Sequence, residues 1–228
     1  MIKRVLFCAS VLLLTTSLLF CGLLRWLPPP TSTFMLYRHY EDIKDGEGFR
    51  SIDYRWRGAD EISAHALQAV IASEDQQFFN HSGFDLPSIE AAMLNYLDGG
   101  RLRGASTISQ QVAKNLFLTP SKNFLRKGLE VWFTVLIESF WSKQRILEVY
   151  INIAEFGDHI FGIEAASQRY FGIPAKNLNR AQAALLAATL PNPIKFQAMH
   201  PSNYLLKRQH WIIRQMSNIG YNMHSSLK

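Results

Sequence analysis

Apolar residues recur along this chain at spacings of three and four, a pattern that predicts a mainly α-helical fold. A helix with an N-cap at Asp60 is predicted to end at Glu74. Further helices are predicted over residues 86–97, 124–140, 143–152, 164–171, 180–190 and 202–219. Only residues 51–57 alternate between apolar and charged side chains, which indicates a strand or an extended segment. Residues 31–48 show neither period, and no element is predicted for them.

The N-terminal segment is the most apolar part of the chain. Residues 5–24 carry no charge, and a helix of that length spans ~30 Å, the thickness of the hydrocarbon layer. Lys3 and Arg4 precede it, so the positive-inside rule places the N-terminus in the cytoplasm. We predict an uncleaved single-pass anchor with a proline spacer in residues 1–30 and one globular domain in residues 31–228. The alternative is a cleaved signal peptide, although the run is long for one and no A-x-A site follows.

Charge is distributed unevenly along the chain. The net charge is +6, yet residues 99–129 contain six Lys or Arg and no acid, and residues 165–228 contain eight and no acid. Two basic blocks near a membrane anchor favour anionic lipid or an anionic substrate as the partner. No zinc-finger, RNA-recognition or basic-zipper pattern supports nucleic acid. Both cysteines, Cys8 and Cys21, lie in the apolar run, which leaves no disulfide framework or thiolate metal cluster for the globular part.

Glu74 is the first candidate for chemistry. It follows Leu67, Val70 and Ile71 at helical spacing, so it falls on the apolar face at the end of its helix. A carboxylate there is costly unless it is paired or lines a cleft, and desolvation suits it to proton transfer. A surface glutamate at a frayed helix end is the alternative. His81 follows closely, and a structural histidine is the better prediction than a metal ligand because no ligand spacing accompanies it.

The stretch of residues 99–130 is the second candidate, because it combines small residues, two glutamines and uncompensated cations. Lys and Arg bind oxygen-rich anions. Its basic residues are Arg101, Arg103, Lys114, Lys122, Arg126 and Lys127, and its interleaved apolar residues, which predict contact with lipid headgroups, are Leu116, Phe117, Leu118 and Phe124.

Glu130 closes this stretch and shares one side of its helix with Arg126 and Lys127, at spacings of four and three. These three side chains form either a charged wall that faces a ligand or an ordinary salt bridge on a helix surface. For the stretch as a whole, the alternative is a solvated basic loop.

Five stretches, in this order and spacing, resemble the monofunctional peptidoglycan glycosyltransferases, a family also found as the first domain of bifunctional penicillin-binding proteins. They cover about residues 56–195. The stretches are Glu74-Asp75-x-x-Phe78-x-x-His81-x-Gly83, Gly104-Ala-Ser106-Thr107-Ile108-x-Gln110-Gln111, Arg126-Lys127-x-x-Glu130, Lys143-x-x-Ile146-Leu147-Glu148-x-Tyr150-x-Asn152 and Tyr170-Phe171-Gly172. Any one alone is a weak signal, whereas five in register make coincidence implausible.

The resemblance implies a lysozyme-like, α-helical fold with two lobes and a cleft between them. It implies polymerisation of lipid II into β-1,4-linked glycan strands, with inversion at the donor's anomeric carbon and release of undecaprenyl pyrophosphate. The partners would be lipid II, the lipid-linked glycan chain, membrane lipids and other proteins of cell-wall synthesis or division. The location would be the inner membrane of a Gram-negative bacterium, with the catalytic domain in the periplasm.

The resemblance also implies roles for individual residues. Glu74 would take the proton from the acceptor sugar's 4-hydroxyl, and Glu130 would orient the cations or help to bind a divalent cation, Mg or Mn, at the pyrophosphate. No protein metal site is otherwise implied. The residues that would neutralise the pyrophosphate are Lys114, Arg126, Lys127 and, more weakly, Lys122. Those that would line the donor site are Ser106, Thr107, Gln110 and Gln111.

Two other functions are alternatives to this interpretation. A lytic transglycosylase or muramidase would need a proton-donating glutamate, but it would not need cations for a pyrophosphate. A membrane-tethered scaffold protein would leave the placement of Glu74 unexplained. A second, transpeptidase domain does not fit in 228 residues.

Overall fold

The computed structural model of the protein describes residues 2–100, 106–121 and 123–226, with the side chains of residues 2, 6, 9, 10 and 220–226 left out. Helices dominate this part of the chain, as the sequence predicts. They are α1 (Ile2–Leu24), α2 (Thr33–Lys44), α3 (Ala64–Glu74), α4 (Leu86–Leu97), α5 (Ile108–Phe117), α6 (Phe124–Phe140), α7 (Lys143–Ile153), α8 (Ile163–Phe171), α9 (Arg180–Thr189) and α10 (Asn203–Ser226).

Most of the predicted helices are confirmed, and α4 and α6 begin and end at the predicted residues. Their ends carry clear local signals. Asp85 caps α4 by accepting from the Ser88 N–H, and Asn123 caps α6 by accepting from the Arg126 N–H. The prediction of Asp60 as the N-cap of α3 is wrong. Asp60 lies in a short 3-10 turn, and the cap is Ser63, whose hydroxyl accepts from the His65 N–H.

Two helices lie where none was predicted. Ser32 caps α2 in the segment left without a prediction. The basic stretch is not simply a loop, because α5 occupies residues 108–117. A capping box starts α5: the Thr107 hydroxyl accepts from the Gln110 N–H, and the Gln110 side chain accepts from the Thr107 N–H. The glutamine of this pair therefore also serves as a helix-start signal, which explains why the segment is ordered.

A small sheet also departs from the prediction of a single extended segment. It contains β1 (Asp53–Tyr54), within the predicted stretch, together with β2 (Glu155–Gly157) and β3 (Ile160–Phe161). The strand order is β1-β3-β2, with β1 parallel and β2 antiparallel to β3. Strands of two or three residues are too short to show a period of two. The β1–β3 pair joins residues more than one hundred positions apart, which no local pattern reveals.

The core lies between α3, α5, α6, α7, α9 and α10. α3 packs against α9 and α10, and α5 packs against α6 and α7. The largest fully buried side chains among the described residues include Tyr150, Phe78, Phe156 and Phe161. α3 and α5 thus belong to two different sets of packed helices, and polar side chains join the end of α3 to α5.

The N-terminal helix α1 lies along α6. The Trp132 indole donates to the Ser17 hydroxyl at 3.2 Å, and the Trp141 indole donates to the Cys21 carbonyl at 2.7 Å. Arg145 donates to the carbonyls of Leu24 and Leu27. Among the described residues, no helix meets the length and hydropathy needed to cross a membrane.

The apolar residues of the basic stretch are divided between core and surface. The prediction that all four contact lipid is wrong for the two leucines, and Phe117 is half-buried. Leu116 and Leu118 are buried, and Phe117 stacks on Phe133 with 4.4 Å between ring centroids. Phe124, in contrast, is 98% exposed. The two leucines lie at the end of α5, where they face the core formed with α6 and α7.

Candidate active site

Glu74 is the last residue of α3, and its side chain is only 13% exposed. The Ser73 hydroxyl donates to its Oε1 at 2.8 Å, and the Gln111 amide donates to its Oε2 at 3.1 Å. Arg208 Nη2 lies 3.5 Å from the same Oε1 and also donates to the Ser73 hydroxyl at 3.1 Å. Three contacts leave at least one acceptor position of the carboxylate open, since a carboxylate has about four lone-pair sites.

A polar cavity of about 350 Å³ opens beside this carboxylate. Its lining consists almost entirely of acids, amides and hydroxyls: Ser73, Glu74, Asp75, Gln76, Gln77, Asp85, Ser88, Ser106 and Thr107. Such a lining can hydrogen-bond a polyhydroxylated ligand. Glu74 therefore lines a cleft, and the alternative of a solvated glutamate at a frayed helix end is wrong.

Asp75, the next residue, holds the frame of the site together. His81 Nε2 lies 3.1 Å from both carboxylate oxygens of Asp75, and the Ile108 N–H donates to its Oδ2 at 3.0 Å. The Gly83 N–H donates to His81 Nδ1, so the proton of a neutral ring is on Nε2 and points to Asp75. His81 is thus a structural residue, as predicted, and Asp75 ties the end of α3 to the start of α5.

The donor-site residues predicted from the resemblance differ in how they are engaged. Ser106 is exposed and lines the cavity. Thr107 is buried and donates its hydroxyl to the Gly83 carbonyl at 2.7 Å, in addition to its role in the capping box. Gln110 is buried as the partner in that box. Gln111 uses both ends of its amide within the protein, on Glu74 and on the Tyr150 hydroxyl.

The predicted charged side of α6 is present. Arg126 Nη1 donates to Glu130 Oε2 at 2.6 Å, and Lys127 Nζ donates to Glu130 Oε1. Glu130 is 3% exposed, so this is not an ordinary salt bridge on a helix surface. Arg126 Nε is buried and has no hydrogen-bond partner among the described residues. Arg180 Nε and Arg208 Nε share this state, so it does not single out Arg126.

Lys114 connects the two parts of the site. It lies one turn after Gln111 on the same face of α5, since residues three apart on a helix are neighbours. The pKa of Lys114 is lowered, mainly by burial. The charges of Glu130 and Glu74 raise this pKa in part, and the charge of Arg126 lowers it further. The ammonium group therefore lies within the field of both acids.

Of the remaining basic residues, Lys122 and the pair Arg101 and Arg103 lie outside the described residues. Lys122 stays a prediction from sequence.

Two residues of the site carry no predicted role, although a signal for both exists and Tyr150 lies within one of the five stretches. Arg208 lies on the apolar stripe of α10, between the buried residues Leu205 and Ile212 at spacings of three and four. Tyr150 lies in the same way on the buried face of α7, four residues after Ile146. The rule that singles out Glu74, a polar group on an apolar face, applies to both.

No group of three or more His, Cys, Asp or Glu side chains in the described part of the chain is placed to hold a metal ion. The family resemblance implies that Glu130, which lies beside the cations, helps to bind a divalent cation. Both of its oxygens are already engaged by Arg126 and Lys127. The described side chains therefore do not fit a divalent cation held by the protein.

Comparison with known proteins identifies relatives of this chain. The sequence profile of the family described as Transglycosylase matches residues 45–217. A protein of Pseudomonas putida, described as a biosynthetic peptidoglycan transglycosylase, is 53% identical over 196 residues, which cover 86% of this chain and 83% of that protein. One of Ectopseudomonas mendocina with the same description is 50% identical over 218 residues, which cover 96% of this chain and 89% of that protein.

The match spans most of both chains and includes all the elements that carry the site. The protein therefore belongs to the transglycosylase family, as its sequence motifs predict.

The contacts of Asp75 give a prediction for stability. Asp75→Ala should lower the free energy of unfolding by about 3 kcal/mol, because it leaves the buried Ile108 N–H and the His81 ring without an acceptor, and hydrogen bonds to a charged group contribute ~1.5–3 kcal/mol each. Chemical denaturation with the full chain in detergent measures this. The matched control is Asp60→Ala, at an exposed carboxylate, which should stay within ~0.5 kcal/mol of the parent. Equal stability of the two variants would contradict the structural role of Asp75.

Proposed function

We propose that the protein polymerises lipid II into the β-1,4-linked glycan strands of peptidoglycan. The acceptor's 4-hydroxyl oxygen attacks the anomeric carbon of the lipid-linked donor, that carbon is inverted, and undecaprenyl pyrophosphate leaves with the bonding electrons. One observation carries the proposal: a hydrogen-bonded carboxylate and a cluster of cations are joined through one helix face, where Gln111 contacts Glu74 and Lys114 follows one turn later. The family membership and the description of its relatives agree with this reaction.

Glu74 acts in this proposal as the general base. The acceptor hydroxyl loses its proton to the open lone pair of the carboxylate as the new glycosidic bond forms. The polar cavity supports the assignment, because hydroxyl and amide groups beside Glu74 can orient a sugar ring. Among the residues predicted to line the donor site, Ser106 is the one exposed in that cavity. Thr107, Gln110 and Gln111 contribute by holding the backbone and the base, and their contact with the donor stays a prediction.

Lys114, Arg126 and Lys127 neutralise the pyrophosphate. A diphosphate leaves readily once cations neutralise the negative charge that develops on it. Cations that are already in position neutralise this charge without a cost of reorganisation. Glu130 keeps two of the cations oriented, which is its predicted role, and Lys122 is a weaker candidate from sequence alone. A divalent cation that arrives with the diphosphate is compatible with this arrangement, although no residue is assigned to it.

A lytic enzyme on the same fold is the alternative function. It would need Glu74 as a proton donor, and it would have no use for three cations and a buried acid that orients two of them. The cation cluster therefore favours synthesis over cleavage.

We also propose the topology predicted from the sequence: a lysozyme-like, two-lobed domain over residues 31–228 in the periplasm and an inner-membrane anchor within residues 1–30. The uncharged run of residues 5–24 supports the anchor. α4 supports a second contact with lipid, since none of its twelve residues is buried and it exposes large apolar side chains, among them Leu86, Met93, Leu94 and Leu97. Substrates with a lipid tail require such closeness to the bilayer. Other proteins of cell-wall synthesis stay proposed partners.

The base is tested by Glu74→Gln, which keeps the size and shape of the side chain but cannot accept the proton, and which loses the hydrogen bond accepted by the oxygen that becomes NH₂. Incubation with labelled lipid II should give no polymer, whereas the unfolding midpoint should stay within a few degrees of the parent. Polymer is separated from unreacted lipid II by electrophoresis, and preformed glycan is supplied in parallel. Turnover at the parent's rate would refute the base assignment, and cleavage of the preformed glycan by the parent would favour the lytic alternative.

The pH dependence tests Lys114. Burial lowers the pKa of this ammonium group, so its charge is lost as the pH rises, earlier than at the ordinary lysine value of ~10.4. Affinity for lipid II should therefore weaken on the alkaline side in the parent. Lys114→Arg should shift that loss to higher pH, because a guanidinium stays charged. Lys176→Arg, at an exposed lysine, is the control and should leave the profile as it is. An unchanged profile for Lys114→Arg would remove Lys114 from the pyrophosphate site.

The anchor is tested by fractionation of cells that express the full chain. The protein should sediment with inner membranes, resist extraction by high salt and dissolve in detergent, because an apolar helix in lipid is held without charge. An external protease should digest its folded part in spheroplasts. Release by salt alone, or protection from the protease, would contradict the proposed topology.

A further inference from the structure

Tyr150 is completely buried in α7, and its hydroxyl is directed at the site. It donates to Gln111 Oε1 at 3.0 Å, and Gln111 Nε2 in turn donates to Glu74 Oε2 at 3.1 Å. A chain of two hydrogen bonds therefore runs from the core to the carboxylate. Each link joins a different helix, α7 to α5 and α5 to α3.

The direction of this chain follows from the chemistry of its ends. Burial raises the pKa of the Tyr150 phenol well above its ordinary value, and the nearby charges of Glu74 and Asp75 raise it further. The phenol therefore keeps its proton and acts as a donor. Glu74, as a carboxylate, only accepts. An amide placed between a donor and an acceptor has one orientation that satisfies both, with its oxygen toward Tyr150 and its NH₂ group toward Glu74.

A buried tyrosine is often only a core residue that has found some acceptor for its hydroxyl. Tyr170 is an example in this protein, since its hydroxyl lies 3.4 Å from the backbone carbonyl of Phe156. Tyr150 differs, because its acceptor is the side chain that holds Glu74. Without the hydroxyl, the Gln111 amide loses the contact that selects its orientation and can turn its oxygen toward the carboxylate, where like partial charges repel.

We propose that Tyr150 is a positioning residue, whose hydroxyl fixes the Gln111 amide and, through it, the Glu74 carboxylate in the orientation that accepts the proton. The inference rests on the proposed role of Glu74 as the base. It concerns the chemical step and not the capture of substrate, since Tyr150 is buried and does not reach the cavity.

The experiment is Tyr150→Phe in the full chain, assayed with lipid II in detergent. The change removes one oxygen and keeps the ring, so the core stays filled. We expect kcat to fall roughly tenfold or more, because a small misplacement of a reacting group is costly, while KM stays within about twofold. Tyr170→Phe is the matched control: the charges around that phenol are Arg169, Asp158 and Glu155 rather than Glu74, and both constants should stay near the parent's.

A double-mutant cycle with Gln111→Leu separates positioning from a general loss of stability. If Tyr150 acts through Gln111, then Tyr150→Phe should change kcat by less than about twofold when Gln111 is already leucine. Independent, multiplying effects would overturn the inference, as would an unchanged kcat in Tyr150→Phe or a loss expressed only in KM.

Gln111→Leu alone serves as the second variant, because it cuts the same chain and should lower kcat in the same way. If Tyr150→Phe does not fold, a normal kcat in Gln111→Leu would overturn the inference by itself. Glu74→Gln, measured beside these variants, distinguishes the two failures. Full activity of Glu74→Gln would refute Glu74 as the general base, and the inference about Tyr150 would fall with it. If Glu74→Gln is inactive and Tyr150→Phe has the parent's kcat, only the inference about Tyr150 is refuted and the proposed base stands.

Discussion

The structure depends most on how one carboxylate is held at the end of α3. Glu74 is largely withdrawn from water, and a charge in such a place is stable only when hydrogen bonds replace its hydration. Those bonds come from Ser73 beside it, from Gln111 on α5 and from Arg208 on α10. The site is therefore a product of the packing of three helices, and it exists only in the complete core.

The second constraint is the mutual repulsion of the cations. Lys114, Arg126 and Lys127 lie close enough for each of the other two to lower the pKa of Lys114. The buried Glu130 reduces this repulsion, because its carboxylate forms ion pairs with both Arg126 and Lys127. The same two ion pairs fix the positions of these cations. Its buried position on α6 suits an electrostatic role better than proton transfer. The cluster keeps an excess of positive charge, which in the proposed reaction is met by the diphosphate.

Several motif residues prove to be parts of the frame. Asp75 binds His81 and the start of α5, while Thr107 and Gln110 cap that helix. These contacts place Gln111 and Lys114 in a fixed register with Glu74. A preorganised site needs such support, since loosely held groups lose much of their effect on a transition state. The motifs therefore contain both the reacting groups and the residues whose hydrogen bonds hold the helices of the site together.

The features that the sequence determined alone are local. The bounds of α4 and α6, the place of Glu74 at a helix end and the common side of Arg126, Lys127 and Glu130 all follow from spacing within a few residues. The sequence motifs also identify the family without any geometry.

Tertiary structure decided what links distant parts of the chain. The pairing of β1 with β3, the salt bridge from Arg208 to Glu74 and the path from Tyr150 through Gln111 to Glu74 join residues that are 37 to 134 positions apart. Periodicity places a polar group on a buried face, as it does for Arg208. It cannot name the partner across the interface, because that partner is chosen by how the helices pack.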